Sequence, residues 1–372
     1  MDICEYSPTY VRAIAPYQPG KPISELAREY ELDARSIIKL ASNENPLGLS
    51  PLAKRAIERD IAELSRYPDG NAFDLKAVLS RRYGVPEQGI VVGNGSNDVL
   101  EMAAAAFLAP GRSSVYAQHA FVVYPLATQG RGAKGIAVPA KEYGHDLEAM
   151  LAAIENDTRI VFIANPNNPT GTFVPGAALA AFLARVPAEV LVVIDEAYSD
   201  YLSAGQRYDS VRWLESHPNL LITRTFSKVY GLAGLRVGFG LCDPKIAELL
   251  NRVRHPFNVN SLAQAAAVAD LEDSEFVAKS CEINSAGMRL LESGFRELGL
   301  EWIESAGNFV SVAIPRSGNQ PQAGRVFEQL LRQGVIVRPV AGYGMPDHLR
   351  VTIGLREENE RFLGALRRAL GA

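Results

Sequence analysis

Short apolar runs alternate with helix-like segments through much of the chain, and this alternation constrains the fold more than any other feature. The runs are rich in β-branched residues, and most end in polar or small residues, as buried parallel strands do. Segments such as DVLEMAAAAFLAPG lie between them, long enough for crossover helices and closed by Pro or Gly. The pattern predicts an α/β fold with a large, doubly wound, mostly parallel sheet. The predicted strands lie within GIVVGNGS, SVYAQHAF, KGIAVPA, RIVFIANPN, EVLVVIDEAY and NLLITRTFSK.

The pattern changes after residue 260. A long amphipathic stretch leads into the strand-like NFVSVAIP, the helix-like AGRVFEQLLRQG, and then VIVRPV and LRVTIG. A chain of 372 residues also exceeds the usual size of one hydrophobic core. We therefore predict an N-terminal arm that forms part of a small domain (1–47), a large domain (48–260) and a smaller C-terminal α+β domain (261–372).

Composition argues against several classes of partner. Charged residues make up 22% of the chain and the net charge is -4, which gives no support to nucleic acid or an anionic membrane as partner. No apolar run approaches the length of a membrane span, and the first twenty residues lack the apolar core of an export signal. The three scattered cysteines and five single histidines suggest neither disulfides nor a metal site. We expect a cytoplasmic protein without a metal ion.

The segment GNGSNDVLE places a glycine turn between a predicted strand and a predicted helix. Ser96 and Asn97 would then lie at the helix start, where backbone N–H groups bind anions. Asp98 stands where a dinucleotide fingerprint needs its third glycine, and no Walker lysine follows. A plain capped helix, with Asp98 and Glu101 as its capping box, remains an equal alternative.

Two further segments carry reactive side chains. Asp195 and Glu196 follow five aliphatic residues, and an acid at the mouth of a buried strand needs a cationic partner such as a protonated ring nitrogen. Lys228 lies among apolar and hydroxyl residues with no acid nearby in sequence, so burial would lower its pKa and favour a nucleophilic amine. The loop NPNNPTG also follows a strand, although its composition suits a simple turn equally well.

These segments together meet the requirements of pyridoxal phosphate, which needs an amine, an acid for its ring nitrogen and a phosphate cradle. Lys228 can supply the amine and Asp195 the acid. The predicted cradle residues are Ser96, Asn97, Ser227 and Arg236. Glycines near Lys228 would let the backbone pass close to the cofactor ring, namely Gly231, Gly234 and Gly238.

Further motifs occur in a family-specific order, which is PYQPGK, KLASNENPLG, RYPDG, GNGSND, NPNNPTG, DEAY, RTFSKVYGLAGLRVGF, NFV, VIVRPV and LRVTIGLREENERF. In these motifs the chain resembles, over nearly its whole length, the fold type I pyridoxal-phosphate-dependent aminotransferases of the aspartate aminotransferase superfamily. Within them it is most similar to the histidinol-phosphate aminotransferase subfamily. The resemblance implies a large domain with a mostly parallel sheet and a smaller α+β domain.

The resemblance also implies roles for individual residues. Lys228 would bond to the cofactor and Asp195 would hold its ring nitrogen protonated. Further cofactor contacts would come from Ser96, Asn97, Asn168, Tyr198, Ser227 and Arg236. Tyr67 would reach the phosphate of a second subunit, which implies a homodimer with shared active sites. Phe121 stands where many members have a tyrosine, and it can stack on the ring but cannot hydrogen-bond.

Three residues would bind the substrate by the same resemblance, namely Tyr17, Arg338 and Arg350. Arg350 lies beside Val351 and Ile353 on an apparent strand, where an arginine is costly unless an anion meets it. Tyr17 could equally be an aromatic anchor of the arm. Arg338 could instead pair with an acid such as Glu357. Asn43 and Asn45 of SNENP could face the site or only form a turn.

The implied reaction is transamination of L-histidinol phosphate with 2-oxoglutarate, which gives imidazole-acetol phosphate and glutamate in histidine biosynthesis. The same residues suit an aminotransferase for phenylalanine and tyrosine, or more distantly a decarboxylase or lyase that uses the same cofactor. A ligand-sensing domain of a transcription regulator is disfavoured. Such a regulator carries an N-terminal DNA-binding domain, and residues 1–47 contain no basic recognition helix.

Overall fold

The structure is a computed structural model, and it describes residues 2–17 and 19–371. Gln18 of the PYQPGK motif lies outside the described residues. The strands are β1 (Ile38–Lys39), β2 (Ile90–Gly93), β3 (Ser113–Ala117), β4 (Lys134–Val138), β5 (Thr158–Ala164), β6 (Leu191–Asp195), β7 (Leu220–Thr225), β8 (Gly238–Cys242), β9 (Trp302–Ile303), β10 (Phe309–Ala313), β11 (Val335–Ile336), β12 (Arg338–Pro339) and β13 (His348–Thr352).

The helices alternate with the strands of the large sheet and then cluster in the C-terminal part. They are α1 (Thr9–Arg12), α2 (Ile23–Glu29), α3 (Pro51–Asp60), α4 (Phe73–Tyr83), α5 (Ser96–Phe107), α6 (Val123–Gly130), α7 (Leu147–Ala152), α8 (Gly176–Leu183), α9 (Pro244–Val253), α10 (Ser261–Asp270), α11 (Ser274–Glu297), α12 (Ala323–Arg332) and α13 (Arg356–Leu370). Within the described residues, no helix combines the length and apolar character needed to cross a membrane.

The large sheet has the strand order β2-β8-β7-β6-β5-β3-β4, and all of its neighbours pair in parallel except around β8. Side chains of β5 alternate between two buried cores. Val161 and Ile163 pack on the side of α4, α8 and α10, whereas Ile160 and Phe162 pack on the side of α5, α6 and α9. Because both faces are covered, the strands are apolar throughout. The prediction of a doubly wound, mostly parallel sheet is confirmed.

Strand β8 was not predicted, because its sequence GFGLC is rich in glycine and belongs to a motif interpreted as a cofactor-facing loop. It runs antiparallel to both β2 and β7. A Cβ at Gly238 would clash with the backbone of Gly95 and Ser96. The glycine therefore lets β8 lie against the start of α5, which also positions the turn after β2.

The smaller domain is built on the sheet β12-β13-β10-β9, which packs against α11, α12 and α13. The N-terminal arm joins this domain, because β1 pairs in parallel with β11 and Leu26 packs against Leu331. Helix α10, in contrast, contributes Ala263 and Ala266 to the core of the large domain. We therefore propose that the division lies near the turn between α10 and α11 rather than between residues 260 and 261.

The parallel strands set the position of the polar side chains. Strands β5, β6 and β7 are neighbours, so their carboxyl ends meet at one edge of the sheet. The chain continues there into the NPNNPTG loop, the Asp195–Glu196 pair and the loop that carries Lys228. This edge faces the smaller domain, and the crevice outside it is where α/β sheets bind ligands.

Two glycines of the Lys228 loop differ in what surrounds them. Gly231 has a φ of +74°, and a Cβ there would clash with the carbonyl oxygen of Gly48. Gly234 has no neighbouring atom within 4 Å of an added Cβ. The sequence analysis predicted that both glycines make room for the cofactor. At Gly231, however, the nearby protein backbone itself requires a glycine, and Gly234 has no such constraint.

We predict that Gly231→Ala lowers the free energy of unfolding by at least about 2 kcal/mol, because it combines a strained backbone conformation with a backbone clash. Gly234→Ala is the matched control and should stay within about 0.5 kcal/mol of the parent protein. Urea denaturation of both variants measures the difference. Equal stability of the two variants would contradict the assigned role of Gly231.

Candidate active site

One pocket lies at the carboxyl edge of the large sheet and is closed by residues of the smaller domain. It is lined by nearly all of the residues that the sequence analysis proposed. These are Tyr17, Ser96, Asn97, Phe121, Asn168, Asp195, Tyr198, Ser227, Lys228, Arg236, Arg338 and Arg350. Tyr67 is absent from this lining.

Lys228 extends into the pocket from the loop after β7. Its Nζ donates a hydrogen bond to the Ser42 carbonyl oxygen at 3.3 Å and lies 5.5 Å from the centre of the Tyr198 ring. Burial, aided by the positive charges of Arg350 and Arg236 and partly opposed by Glu44 and Asp195, lowers the pKa of Lys228 to about 7. At neutral pH a large share of this side chain is therefore an uncharged amine, which is the form that acts as a nucleophile.

The loop around Lys228 is fixed by the arm of the smaller domain. The Asn45 side chain donates to the Val229 carbonyl oxygen at 2.7 Å and to Ser280 Oγ at 2.8 Å. The Gly231 N–H donates to the Lys228 carbonyl oxygen at 3.0 Å. These bonds hold the backbone of the lysine between the two domains. Asn45 is thus a structural residue of the loop.

The neighbouring acids Asp195 and Glu196 have different partners. Glu196 is buried and accepts two hydrogen bonds from the Arg224 guanidinium, at 2.7 and 3.0 Å. Asp195 faces the pocket and accepts a hydrogen bond from the Tyr124 hydroxyl at 2.9 Å. Its other oxygen, Oδ1, is buried and accepts no hydrogen bond of good geometry within the described residues. Burial raises the pKa of Asp195, and the Tyr124 hydroxyl partly offsets this.

The start of α5 forms one wall of the pocket. Gly95 is the N-cap residue and provides no side-chain cap, so the first N–H groups of the helix remain available to an anion. The capping box proposed from Asp98 and Glu101 is wrong. Asp98 instead accepts from the Asn94 N–H at 2.9 Å and from Asn258 at 2.6 Å.

Arg236 completes this wall with a second positive group. Its guanidinium donates to Ser227 Oγ at 3.4 Å and to the Ala233 carbonyl oxygen at 3.0 Å. Ser96 and Asn97 begin the helix on the same side of the pocket. Two hydroxyls, a helix N-terminus and a guanidinium therefore converge as the phosphate-cradle hypothesis requires.

Arg350 on β13 forms the opposite wall and is buried. Its guanidinium donates to Asn168 Oδ1 at 2.5 Å and to the Ala41 carbonyl oxygen at 2.7 Å, and it lies 5.3 Å from the Phe309 ring centre. Its Nε has no hydrogen-bond partner within the described residues. Burial lowers the pKa of Arg350, and the positive charge of Arg338 adds to this. An anion in the pocket would relieve both effects.

Arg338 lies opposite Arg350 in the antiparallel register of β12 and β13. Its guanidinium is 5.3 Å from the ring centre of Tyr17, which brings the N-terminal arm over the pocket. Tyr343 lines the same side of the pocket. Two guanidinium groups and two tyrosines thus line this side of the pocket.

Tyr67 lies away from the pocket in the described chain. Its side chain is 83% exposed and stacks on Phe257, with ring centroids 4.7 Å apart. Tyr67 therefore does not line the pocket of its own chain, and its contact with the site of another subunit stays a prediction.

Sequence reasoning did not commit to several residues that the structure places at or next to the pocket. Asn43 is buried and donates to the Tyr198 hydroxyl at 2.9 Å. Ser42 supplies the carbonyl oxygen that accepts from Lys228, and Tyr124 holds Asp195. The SNENP motif indicated Asn43 only as a turn former or a site residue. Nothing in the sequence distinguishes Tyr124 from other buried aromatic residues.

The donor set fits pyridoxal phosphate. The unpartnered Asp195 Oδ1 suits a protonated ring nitrogen, Lys228 supplies a largely uncharged amine, and Ser96, Asn97, Ser227 and Arg236 suit the phosphate. Phe121 lies where it can stack on the ring. Within the described residues, no group of three or more His, Cys, Asp or Glu side chains is arranged to hold a metal ion.

The fold and the pocket define an enzyme of the aminotransferase type. The chain belongs to the aminotransferase class I and II family, whose model matches residues 35–366. It is 60% identical over 370 residues to histidinol-phosphate aminotransferase 2 of Nitrosospira multiformis, covering 100% of this chain and 93% of that protein. It is 62% identical over 366 residues to histidinol-phosphate aminotransferase 1 of Cupriavidus pinatubonensis, covering 98% and 96%.

Solved structures agree with this assignment. The histidinol-phosphate aminotransferase of Sinorhizobium meliloti, in complex with pyridoxal-5'-phosphate, has a TM-score of 0.89 at 25% identity and covers 98% of this chain and 97% of its own. A double mutant of the Thermus thermophilus aspartate aminotransferase has a TM-score of 0.83 at 23% identity, with 97% and 98% covered, and shows the fold alone. The predictions of a fold type I architecture and of an aminotransferase are confirmed.

We predict that Asp195→Asn slows the half-reaction with amino donor by on the order of a hundred- to a thousandfold, because a neutral amide cannot stabilise a positive ring nitrogen. Tyr124→Phe removes one hydrogen bond to the same carboxylate and should slow it about tenfold. Stopped-flow absorbance measures both rates. Asp209→Asn, at an exposed acid paired with Arg212, is the control. A wild-type rate for Asp195→Asn would contradict the assignment.

Proposed function

We propose that the protein transfers the amino group of L-histidinol phosphate to 2-oxoglutarate, with imidazole-acetol phosphate and glutamate as products. The observation that carries this proposal is that one pocket contains a lysine with a pKa of about 7, a carboxylate whose Oδ1 has no hydrogen-bond partner within the described residues, and two arginines that lie opposite each other on neighbouring strands. The relatives at 60% and 62% identity are named for this activity. The reaction serves histidine biosynthesis.

The cofactor is pyridoxal phosphate, which when bound supplies an aldehyde that condenses with amines and a ring that accepts the electron pair of a broken Cα–H bond. Lys228 bonds to it through the uncharged amine that the pocket favours. Asp195 keeps the ring nitrogen protonated through Oδ1, while the Tyr124 hydroxyl holds the other oxygen. Asn168 and Tyr198, which line the pocket, would hold the 3'-oxygen of the ring, and Phe121 would pack on the ring.

Lys228 would have a second role when its amine is free. That amine would take the proton from the donor carbon that bears the amino group and pass it on to the cofactor. A pKa near 7 suits both halves of this transfer, because the group can gain and lose a proton at working pH. The Ser42 carbonyl oxygen orients the amine meanwhile.

The arginines account for the choice of a phosphorylated donor. A phosphate monoester carries up to two negative charges, and a partly dry pocket must meet them with cations and hydrogen-bond donors. Arg350, Arg338 and Tyr17 line the pocket together and supply these groups. An aromatic amino acid presents one carboxylate, for which Arg350 alone is sufficient.

We predict that Arg338→Ala lowers kcat/KM for histidinol phosphate by roughly ten- to a hundredfold, because it removes a charge-assisted hydrogen bond. Phenylalanine and tyrosine should be affected much less. Steady-state kinetics with each donor, and 2-oxoglutarate as acceptor, measure the ratios. Arg356→Ala, which removes an exposed arginine paired with Glu360, is the matched control. A wild-type preference for the aromatic donors, with equal effects of Arg338→Ala on all donors, would contradict the proposal.

The enzyme acts as a homodimer that shares its active sites. Support comes from a set of exposed apolar side chains that includes Tyr67. In a monomer these side chains would stay in contact with water, whereas a second subunit could cover them. The group consists of Ile61, Leu64, Tyr67, Phe73 and Phe257, with 48–83% of each side chain exposed. In the dimer, Tyr67 reaches the phosphate cradle of the partner subunit.

We predict that mixing Lys228→Ala protein with Tyr67→Asp protein restores activity that neither has alone. A hybrid dimer places both defects in one site and leaves the other intact, so random exchange should restore about one quarter of the wild-type activity. Activity after verified subunit exchange is the measurement. No recovery would contradict a cross-subunit role of Tyr67. Mixing Lys228→Ala with Asp195→Asn is the control and should restore nothing, because both residues belong to one chain's site.

The enzyme works in the cytoplasm. Its three cysteines are free thiols, of which Cys4 is exposed and Cys242 buried. Free thiols persist where the environment is reducing, which supports this location. The small-molecule substrates of the proposed reaction fit the same compartment.

A further inference from the structure

The hydroxyl of Tyr198 lies between two side-chain amides. Asn43 Nδ2 donates to it at 2.9 Å, and Asn168 Nδ2 donates to it at 3.3 Å. All three side chains are buried, with at most 7% of any residue exposed. A tyrosine hydroxyl has one proton to donate and two lone pairs with which to accept. Both lone pairs are therefore in use.

Other hydrogen bonds fix the orientation of each amide. Asn168 Oδ1 accepts from the Arg350 guanidinium at 2.5 Å, so the Asn168 NH₂ group must face Tyr198. Asn43 Oδ1 accepts from the Thr352 hydroxyl at 3.2 Å, and in this arrangement the Asn43 NH₂ group also faces Tyr198. Neither amide presents an oxygen to Tyr198 in the structure. The remaining direction for the Tyr198 proton is the open pocket.

We propose that Asn43 is a positioning residue that, together with Asn168, directs the Tyr198 proton into the pocket, toward the 3'-oxygen of the bound cofactor. The inference rests on the proposed function, because that function places the cofactor in this pocket. Asn43 itself touches neither cofactor nor substrate in this role. It acts through Tyr198.

The backbone of Asn43 suits this task. Its φ of 56° lies in the left-handed region, which asparagine tolerates better than most residues. Its N–H donates to Thr352 Oγ1 at 2.9 Å, and its carbonyl oxygen accepts from Asn308 Nδ2 at 3.0 Å. These two bonds hold the Asn43 backbone, and the bond from Thr352 to Oδ1 holds its side chain. Such a fixed donor aligns the hydroxyl more closely than a mobile water could.

Lys228 would hold the cofactor through its nitrogen, and Tyr198 would donate its proton to the 3'-oxygen of the same group. Such a hydrogen bond would withdraw electron density from the cofactor and so make a proton on the Lys228 nitrogen easier to lose. If the Tyr198 proton turns elsewhere, the titration midpoint of the Lys228 nitrogen rises. The visible absorbance of the bound cofactor reports this midpoint, and a merely structural role of Asn43 would not move it.

The experiment titrates the cofactor absorbance of the holoenzyme against pH in wild type, Asn43→Gly, Tyr198→Phe and the double variant. Glycine tolerates the positive φ and adds no charge, so Asn43→Gly removes the amide with the least disturbance. We expect Asn43→Gly to raise the midpoint by about 0.5 to 1 pH unit. In the Tyr198→Phe background the same substitution should leave the midpoint unchanged.

Asn43→Asp provides a second test, because a carboxylate can accept the Tyr198 proton and turn it away from the cofactor. Its charge also acts directly on Lys228, in company with Arg350, Arg236, Glu44 and Asp195. The shift should therefore be larger with Tyr198 present than with Phe at that position. The difference between the midpoint shifts in the Tyr198 and Tyr198→Phe backgrounds measures the contribution of the Tyr198 hydrogen bond alone.

An unchanged midpoint in Asn43→Gly, or equal shifts in both backgrounds, would overturn the inference while leaving the proposed function intact. A wild-type protein that shows no cofactor absorbance would overturn the proposed function and this inference with it. A shift of the midpoint by Asn43→Gly that occurs only when Tyr198 is present supports both the inference and the proposed function.

Discussion

The amino group of Lys228 faces two guanidinium groups in a pocket with little water, and the chemistry depends on this placement. Burial disfavours the charged form of Lys228, and Arg350 and Arg236 oppose a further positive charge, so the pKa of Lys228 falls to about 7. A lysine in water would stay protonated at this pH. Much of the surrounding structure keeps the side chain in place, including the bonds from Asn45 to the lysine loop and the close approach of Gly231 to the arm.

The two neighbouring acids Asp195 and Glu196 have different roles in the fold. Glu196 is neutralised by Arg224 inside the large domain, where an unpaired charge would be destabilising. Asp195 faces the pocket, and its Oδ1 accepts no hydrogen bond from the described residues. Strand alternation separates the two side chains, since neighbouring residues point to opposite faces. One acid therefore stabilises the fold and the other is available to a ligand.

Strand-end residues could be predicted from the sequence because parallel neighbours bring their carboxyl ends together. This reasoning reached Asp195 and the NPNNPTG loop without knowledge of tertiary contacts, whereas Lys228 was found from its apolar, acid-free surroundings and Asn168 from the family resemblance. It did not reach the role of Asn43, whose partners Tyr198 and Thr352 are 155 and 309 residues away in sequence. Strand β8 was missed because its glycines serve close packing against α5, a requirement that only the tertiary structure displays. The contact predicted for Tyr67 would lie between chains, beyond what one chain can show.

The pKa of Lys228 in the cofactor-free protein tests the central claim most directly. NMR of protein with ¹³C-labelled lysine can follow the Cε resonance of Lys228 against pH, with the resonance assigned by its loss in Lys228→Ala. Lys39, which pairs with Glu44 at 2.8 Å, serves as an internal reference. The structure predicts a midpoint for Lys228 near 7. A midpoint near 10.5, the value of a lysine in water, would contradict the account.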